Sequence, residues 1–453
     1  MNTNGPNIVI LIDHKRRDMQ AAALIGHHLK KMGIETHLEP LEAYRGCLAA
    51  YRPHLILFNH LTTTHLVAYS KRLAQLGVRT AVLPNEGIAY NPDVGSFWAG
   101  KYHKGAHVDL FFCWNETMQR ALQESGSYDQ ARLEVVGPPR FDFCFPPWSS
   151  IYQQQPDSSA DRPSVDRPNL LICTNFSFAR YHDWPRSEAD KLFAPWKDRI
   201  PAYQDYWSAI HANHRSQQKV LEFIGKLVHC NRYQITLRPH PREEIPIYRG
   251  WIDQLPPELQ QRIRIDTGHD IVPRILESEL TIACEDCTTT IESWIAGKPT
   301  ISLVFERHPL FFHEELARKN VLCEDPEQIV ALVEQQLAQP QQTELQPLRR
   351  DHLRQWCASP SGQATRQIAT AIADVIGKAP QPDWSQLSLS EQRRGLKLKL
   401  LRWLGLPYHF SPLLPLKQRL FPKRYAPQLA IMAKSIYPGD DDDIRRLLDA
   451  LDR

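Results

Sequence analysis

The sequence predicts two α/β domains, each built on a doubly wound parallel sheet, followed by a C-terminal helical extension. Short apolar runs alternate with amphipathic helical segments over residues 1–150 and again over 169–380. A polar, proline-rich stretch separates the two series, and we place a linker at 151–168. After Pro380 the alternation ends, so residues 381–453 are expected to form a basic helical tail.

The first domain is expected to begin with a buried strand at residues 7–12, an apolar run rich in β-branched residues. The helical periodicity that follows ends at Gly33, a residue typical of helix C-termini. The remaining elements of this domain are strands at 55–58, 79–83, 108–113 and 133–136 and helices at 65–76 and 116–125.

The second domain repeats this alternation. Its elements are strands at 169–174, 233–237, 262–266, 280–284 and 300–304 and helices at 216–229, 288–296, 326–337 and 362–377. Ligands of such sheets bind beyond the carboxyl ends of the strands. We therefore expect a substrate cleft between the two domains, and the polar residues that follow each strand are the candidates for chemistry.

The composition excludes several classes of protein. The 54 basic and 51 acidic residues leave a net charge of +3, which argues against a globally basic nucleic-acid-binding protein. No apolar run approaches the length of a transmembrane helix, and no secretory signal is recognisable. The nine scattered cysteines are therefore expected to be reduced thiols of a cytoplasmic protein.

Common cofactor and metal motifs are also missing from the sequence. There is no Gly-x-Gly-x-x-Gly, and Gly-Lys-Pro at 297–299 lacks the other residues of a P-loop. No Asp-x-Asp follows a predicted strand, so we expect no metal-bridged nucleotide and no cofactor. Cys284 and Cys287 have no second ligand pair at a compatible spacing, so we interpret them as packing residues rather than a zinc or redox site.

Two polar clusters follow strands of the second domain. After the strand 233–237 comes Arg-Pro-His-Pro-Arg at 238–242, where two prolines restrain the backbone of His240 and two arginines flank it. Such a group could donate hydrogen bonds to a phosphate, or it could be a turn with incidental surface charge. After the strand 280–284 comes a hydroxyl-rich turn that opens a helix, which suits an anion, although Thr288 could equally be a simple N-cap.

These clusters carry a family resemblance. Arg-Pro-His-Pro at 238–241, followed about 45 residues on by Cys-Thr-Thr-Thr-x-Glu at 287–292, resembles the second domain of GT-B glycosyltransferases that use cytidylate-activated donors. Those families include bacterial sialyl- and polysialyltransferases, capsule Kdo transferases and CDP-glycerol glycerophosphotransferases. Over residues 7–310 the chain most resembles the surface carbohydrate biosynthesis protein family, whose implied fold is GT-B, with two Rossmann-like domains that face a cleft.

Two segments of the first domain share the resemblance. Val-Val-Gly-Pro-Pro-Arg-Phe-Asp at 135–142 is similar to the segment that closes the first domain in these proteins. Pro-Asn-Glu-Gly at 84–87 is similar to their catalytic acidic-acidic-Gly motif, with Asn85 at the first acidic position. The resemblance implies that Glu86 is the catalytic carboxylate, which faces His240 and deprotonates an acceptor hydroxyl if an apolar cleft raises its pKa. A tight turn is the alternative interpretation of Glu86-Gly87.

The resemblance also implies donor-binding roles for residues of the second domain. His240 with Arg238 and Pro241, together with Thr288, Thr289 and Thr290, would bind the donor phosphate. Glu292 would accept the ribose hydroxyls, or be a solvated first-turn residue. Asn175 would touch the donor, or be an ordinary turn residue. The charged loop 13–18 could contact an acidic acceptor sugar or could only begin a helix.

The implied function is transfer of a sugar from a CMP-activated donor, of the Kdo or nonulosonate type, to a glycan or lipid-linked glycan during capsule or lipopolysaccharide assembly. The reaction would need no metal. A CDP-glycerol-type polyol-phosphate transferase, an enzyme like UDP-GlcNAc 2-epimerase and a non-catalytic GT-B scaffold are the alternatives.

The tail concentrates positive charge. Residues 391–424 contain nine basic residues against one acid, Glu391, which gives the segment a charge of +8. Leu396, Leu400, Trp403 and Leu404 share one helical face, whereas Leu398 and Leu401 do not. Such a segment could bind an anionic membrane surface, so that the protein is peripheral at the inner face of the cytoplasmic membrane, or it could pack on the domains with a solvated basic face.

Overall fold

A computed structural model describes residues 5–90, 94–95, 105–128, 131–154, 167–268, 270–285, 287–411 and 413–452. The chain forms two compact units. The first unit comprises residues 1–88, 98–154 and 355–453, and the second comprises residues 89–97 and 155–354.

The first unit is built on a six-stranded parallel sheet with the strand order β2-β1-β3-β4-β5-β6. Its strands are β1 (Asn7–Ile12), β2 (Glu35–Pro40), β3 (Leu55–Phe58), β4 (Arg79–Val82), β5 (Leu110–Cys113) and β6 (Arg132–Val135). The helices of this part are α1 (Lys15–Lys31), α2 (Tyr44–Tyr51), α3 (Thr64–Gln75), α4 (Glu116–Ser125) and the single turn α5 (Ile151–Gln154). Val9 and Ile56 of the sheet form a fully buried core with Leu48 and Leu73 of the covering helices, because a sheet covered on both faces needs apolar strands.

The second unit contains a second six-stranded parallel sheet, with the order β12-β11-β10-β7-β8-β9. Its strands are β7 (Asn169–Cys173), β8 (Gln234–Arg238), β9 (Ile263–Ile265), β10 (Leu280–Cys284), β11 (Thr300–Leu303) and β12 (Val321–Cys323). Its helices are α6 (Arg186–Lys197), α7 (Tyr206–His229), α8 (Ile245–Ile252), α9 (Pro257–Gln260), α10 (Val272–Glu277), α11 (Thr289–Ile295), α12 (Glu314–Ala317), α13 (Ile329–Ala338) and α14 (Gln346–Cys357).

The last part of the chain is helical: α15 (Ala364–Gly377), α16 (Leu389–Trp403), α17 (Leu414–Leu420), α18 (Pro422–Lys434) and α19 (Asp442–Ala450). The predicted second domain reached residue 380, but the structure groups residues 355–380 with the first unit. The physical reason is a buried cap: the Asp142 carboxylate accepts hydrogen bonds from the backbone N–H groups of Ala364 (3.1 Å) and Thr365 (2.7 Å) at the start of α15. The central part of the predicted linker, residues 155–166, lies outside the described residues.

The tail packs on the first unit. Helix α16 approaches α2 so closely that a Cβ on Gly395 would lie 2.8 Å from the backbone of Ala49. Leu398 and Leu401 are buried on this side. An ion pair of 2.8 Å between Arg402 and Glu39 fixes the end of the helix. The two leucines that disturbed the predicted amphipathic pattern are thus the packing face of α16. Over the described residues, no helix combines the length and the apolar character that crossing a bilayer requires.

Candidate active site

The predicted catalytic segment lies at the carboxyl edge of the first sheet. Because β1, β3 and β4 are neighbours, the loops that follow them meet there. The side-chain amides of Asn59, after β3, and Asn85, after β4, are 2.8 Å apart. A pocket opens beside them, lined by apolar residues of β1 and β3 and by Trp114 and Arg140.

The segment 84–87 is held by the two residues that join β5 to α4. The Trp114 indole donates to the carbonyl of Pro84 (3.0 Å), and the Asn115 amide donates to the carbonyl of Gly87 (2.8 Å). A Cβ on Gly87 would lie 2.3 Å from the Trp114 ring, so only glycine fits there. The backbone of the segment is therefore fixed, while the side chain of Glu86 points away with 66% of its surface exposed.

Glu86 lies between two guanidinium groups. One carboxylate oxygen is 3.7 Å from Arg17 Nη1, and the other is 3.8 Å from Arg140 Nη1. These surroundings are charged and open to solvent, in contrast to the apolar ones that we expected of a proton-accepting carboxylate. The two arginines lie close enough to the carboxylate to orient it.

The charged loop 13–18 supports Arg17. The Asp18 carboxylate accepts from Arg17 Nε (2.8 Å) and from the backbone N–H of His14 (3.0 Å). Burial raises the pKa of Asp18, although the charge and the hydrogen bond of Arg17 oppose this shift. This loop both begins α1, as the simpler interpretation proposed, and presents Arg17 to Glu86.

Segment 138–142 has two roles in the first unit. Arg140 lies over the Trp114 ring, with its guanidinium carbon 4.8 Å from the ring centroid, and reaches Glu86 from there. Two residues later, Asp142 caps α15. The segment therefore contacts both the predicted catalytic loop and the start of α15.

The predicted donor-binding residues lie at the carboxyl edge of the second sheet. Strand β7 pairs with β10 on one side and β8 on the other. The loops that carry Asn175, His240 and Thr288 are therefore adjacent. Asn175 donates to the carbonyl of Glu285 (3.4 Å), which joins the loop after β7 to the loop after β10.

His240 is a neutral hydrogen-bond donor in this arrangement. Its Nδ1 accepts from the backbone N–H of Arg242 (3.1 Å), which leaves the proton on Nε2. Burial lowers the pKa of His240 to about 4, and the positive charges of Arg242 and Arg180 act in the same direction. The ring can therefore donate from Nε2 to a phosphate oxygen at neutral pH without being cationic itself.

Glu243 supports His240 and was not predicted. Its carboxylate is 8% exposed and accepts from the backbone N–H groups of His240 (2.9 Å) and Phe176 (3.1 Å) and from the Thr174 hydroxyl (2.7 Å). Tyr248 donates to its second oxygen. One buried carboxylate thus links the loops after β7 and β8. The only sequence signal was its position three residues after the histidine.

The threonine turn is less exposed than expected. Thr288 is exposed and makes no side-chain capping bond, so it is not the simple N-cap of the alternative interpretation. Thr289 and Thr290 are buried; the first contacts Cys287 Sγ (3.1 Å), and the second donates to the carbonyl of Cys287 (3.2 Å). Glu292 is 6% exposed, which contradicts the solvated first-turn interpretation.

The remaining predicted groups have structural partners. Arg238 pairs with Asp266 and donates to the carbonyl of Gly268 (3.1 Å), so its guanidinium serves the fold. Pro241 is exposed beside His240. Burial raises the pKa of the thiols of Cys284 and Cys287. Among the described residues, His, Cys, Asp and Glu side chains form no group of three or more that could hold a metal ion.

Comparison with known proteins agrees with this architecture. Residues 184–362, which include His240 and the threonine turn, match the model of the LIC12162 family transferases. The match spans less than half of the chain. No curated protein sequence matches the chain.

Solved structures show the fold. A Listeria monocytogenes protein assigned as UDP-N-acetylglucosamine 2-epimerase is 14% identical, with a TM-score of 0.51 over 84% of this chain and 99% of its own. UDP-GlcNAc 2-epimerase from Methanocaldococcus jannaschii is also 14% identical, with a TM-score of 0.50 over 82% of this chain and 100% of its own. The wall teichoic acid polymerase TagF is 13% identical, with a TM-score of 0.48 over 82% of this chain and 89% of its own.

The predicted fold class is confirmed: the chain has two Rossmann-like α/β units of the GT-B type. The transferase family match and this fold support the predicted class of enzyme, a glycosyltransferase.

Proposed function

We propose that the chain is a glycosyltransferase of surface polysaccharide assembly, for capsule or lipopolysaccharide, that binds a CMP-activated sugar of the Kdo or nonulosonate type in its second unit. The observation that carries this proposal is the meeting of the His240, Asn175 and Thr288 loops at one sheet edge. His240 and Thr288 lie within the region that matches a transferase family. The acceptor in this proposal is a glycan or a lipid-linked glycan.

In the donor site, His240 donates from Nε2 to the donor phosphate. Thr288 presents an exposed hydroxyl and Asn175 a side-chain amide, and both suit phosphate or sugar oxygens. Because Arg242 and Arg180 are close enough to lower the pKa of His240, they also supply positive potential for a nucleotide anion. In this proposal Glu292 accepts hydrogen bonds from the ribose hydroxyls.

In the first unit, Glu86 removes the proton from the acceptor hydroxyl. The backbone of its loop is fixed by Trp114 and Asn115, and its carboxylate is aimed by Arg17 and Arg140. General-base catalysis by a positioned carboxylate contributes about 10²–10⁴-fold to a rate.

A thermal-shift panel with CMP, CDP, UDP and GDP tests the donor site. A nucleotide at 100 times its Kd stabilises the folded state by about 2.7 kcal/mol. We expect CMP or CDP to raise the Tm, and we expect His240→Ala to remove the effect. His229→Ala is the matched control, because His229 lies at the end of α7, which leads to the opposite edge of the sheet.

The same panel separates the alternatives. Stabilisation by UDP alone would favour an epimerase, the second candidate, which the fold similarity to two such enzymes supports. Transfer assays with CDP-glycerol distinguish the polyol-phosphate alternative from a CMP-sugar enzyme. No response to any of the four nucleotides would refute a nucleotide-dependent enzyme and leave the scaffold interpretation.

Glu86→Gln tests the catalytic assignment. The substitution keeps the size of the side chain and removes its basicity, so we expect transfer to fall by at least about 100-fold while the nucleotide shift is retained. Glu124→Gln, at an exposed position of α4, is the matched control. Near-native turnover by Glu86→Gln would show that another group accepts the proton.

The proposal includes a peripheral location at the inner face of the cytoplasmic membrane. The support is the charge of the tail, +8 over residues 391–424, and the apolar residues among its basic ones.

A further inference from the structure

Helix α16 has two apolar faces, of which one is packed. Gly395, Leu398 and Leu401 face α2 and are buried. The opposite face, which we call the outer face, consists of large side chains with exposed fractions of 73, 70, 53, 80 and 49%: Leu389, Leu396, Leu400, Trp403 and Leu404. With 3.6 residues per turn, these five share a stripe about 100° wide. A cluster of large exposed apolar side chains marks an interaction surface, unlike single ones.

Positive charge borders the outer face. Arg393, Lys397 and Lys399 are exposed on the same helix. After Glu391 the next acidic residue in the sequence is Asp440, so no acid of this segment neutralises them. Arg402, by contrast, is turned toward the fold, where it pairs with Glu39. At 3.6 residues per turn, Lys397 and Lys399 flank the apolar stripe on its two sides, and Arg393 lies within it.

The pattern continues past α16. Large apolar side chains are exposed at Phe410, Leu413, Leu420 and Phe421, with fractions of 44, 55, 60 and 54%. Arg419 is exposed among them. The segment that follows α16 therefore exposes the same combination of apolar and basic groups.

We propose that the outer face binds a membrane leaflet rich in anionic phospholipid. The helix lies in the plane of the interface, with leucines and Trp403 at the boundary of the acyl chains and Lys397 and Lys399 near the lipid phosphates. The charge complementarity favours this occupant over a protein, because a leaflet offers phosphates to the cations on both sides of the stripe at once. This inference rests on the membrane location given under the proposed function and adds the surface that makes the contact. Vesicle binding is measured without any transfer reaction, so its failure is distinguishable from a failure of the proposed transferase activity.

Vesicle flotation tests the proposal with the full-length chain. The probes are vesicles of phosphatidylcholine alone and of phosphatidylcholine with phosphatidylglycerol. We expect the wild type to float with the anionic vesicles, and we expect the triple variant L396S/L400S/W403S to bind them at least tenfold more weakly. Because the three side chains are exposed, the Tm should stay unchanged.

A matched control is available in the second unit. W184S/L192S/L348S removes the same residue types from positions that are 41, 41 and 47% exposed, and it should float like the wild type. Lys397→Gln and Lys399→Gln should each weaken binding about fivefold, and added salt should weaken it further.

Three results would overturn the proposal. One is flotation of the triple variant at the wild-type level. A second is equal binding to neutral and anionic vesicles, which would remove the role of the cations. The third is an absence of vesicle binding together with a wild-type dimer that the triple variant dissociates, which would make the outer face a contact between two copies of the chain.

Discussion

Gly87→Ala is the sharpest test of how the proposed catalytic loop, residues 84–87, is held. A Cβ at this position would lie 2.3 Å, 2.4 Å and 2.6 Å from three atoms of Trp114, whereas ordinary van der Waals contact begins at 3.4 Å. Trp114 has little freedom to withdraw, because it is 2% exposed and its indole donates to the carbonyl of Pro84. The loop must therefore move, and Glu86 moves with it.

Two magnitudes follow from this clash. Overpacking of a well-packed site costs about 1–3 kcal/mol, and the Tm of a unit of this size falls by about 2–4 °C per kcal/mol. A displacement of about 1 Å at a catalytic group lowers turnover about 100-fold. Thermal unfolding measures the first effect, and the rate of transfer from the donor measures the second.

Gly250→Ala is the matched control for this substitution. Gly250 lies within α8, and a Cβ there would meet nothing within 4 Å. We expect this variant to be as stable as the wild type or slightly more stable, because alanine is favoured over glycine in a helix. If Gly87→Ala unfolded at the wild-type temperature with wild-type turnover, the packing of Trp114 against the loop would not control the position of Glu86.

Two further predictions concern buried ionisable groups. Glu243→Ala should weaken binding of the stabilising nucleotide at least about tenfold, because the backbone N–H groups of His240 and Phe176 lose their acceptor. Glu243→Gln should retain most of the affinity. Isothermal titration measures both variants, and equal affinities for the wild type and the alanine variant would exclude this role of Glu243. His28 is 8% exposed, and burial, with the charges of His27 and Lys31, lowers its pKa from 6.5 to about 4. Protonation therefore favours the unfolded chain, so its contribution is complete above pH 6.5 and about 2–3 kcal/mol is lost by pH 4.5. Urea unfolding at both pH values should show a smaller loss in His28→Gln than in the wild type, and an equal loss would contradict this assignment.

The strands were predictable because of how parallel sheets are covered. Each of the ten predicted strands is present. Eight of them are interior strands, which are covered on both faces and are therefore apolar, whereas β6 and β9 are at sheet edges. The two that were missed are at sheet edges. Strand β2 reads Glu-Thr-His-Leu-Glu-Pro, which an edge position tolerates, and β12 has only three residues. Neither carries the apolar run that marks the eight interior strands.

The grouping of the chain into units was not predictable from local pattern. Helix α15 was predicted, but its attachment depends on Asp142, more than 200 residues earlier in the chain. The same limit applied to α16. Its sequence has leucines on two faces and therefore predicts an imperfect amphipathic helix. Only the contact with α2 shows that Leu398 and Leu401 form the packed face.

The residues of the candidate site likewise fall into those that local sequence predicts and those that depend on tertiary contacts. Residues that could carry chemistry, such as Glu86 and His240, follow strands directly and can be recognised from the sequence. The groups that hold them cannot, because Trp114 and Glu243 act through burial and through contacts to backbone atoms. In both loops the support binds the main chain and leaves the functional side chain available. Substitutions at Trp114 and Glu243 should therefore displace the functional side chains, whereas substitutions at Glu86 and His240 should remove the functional groups themselves.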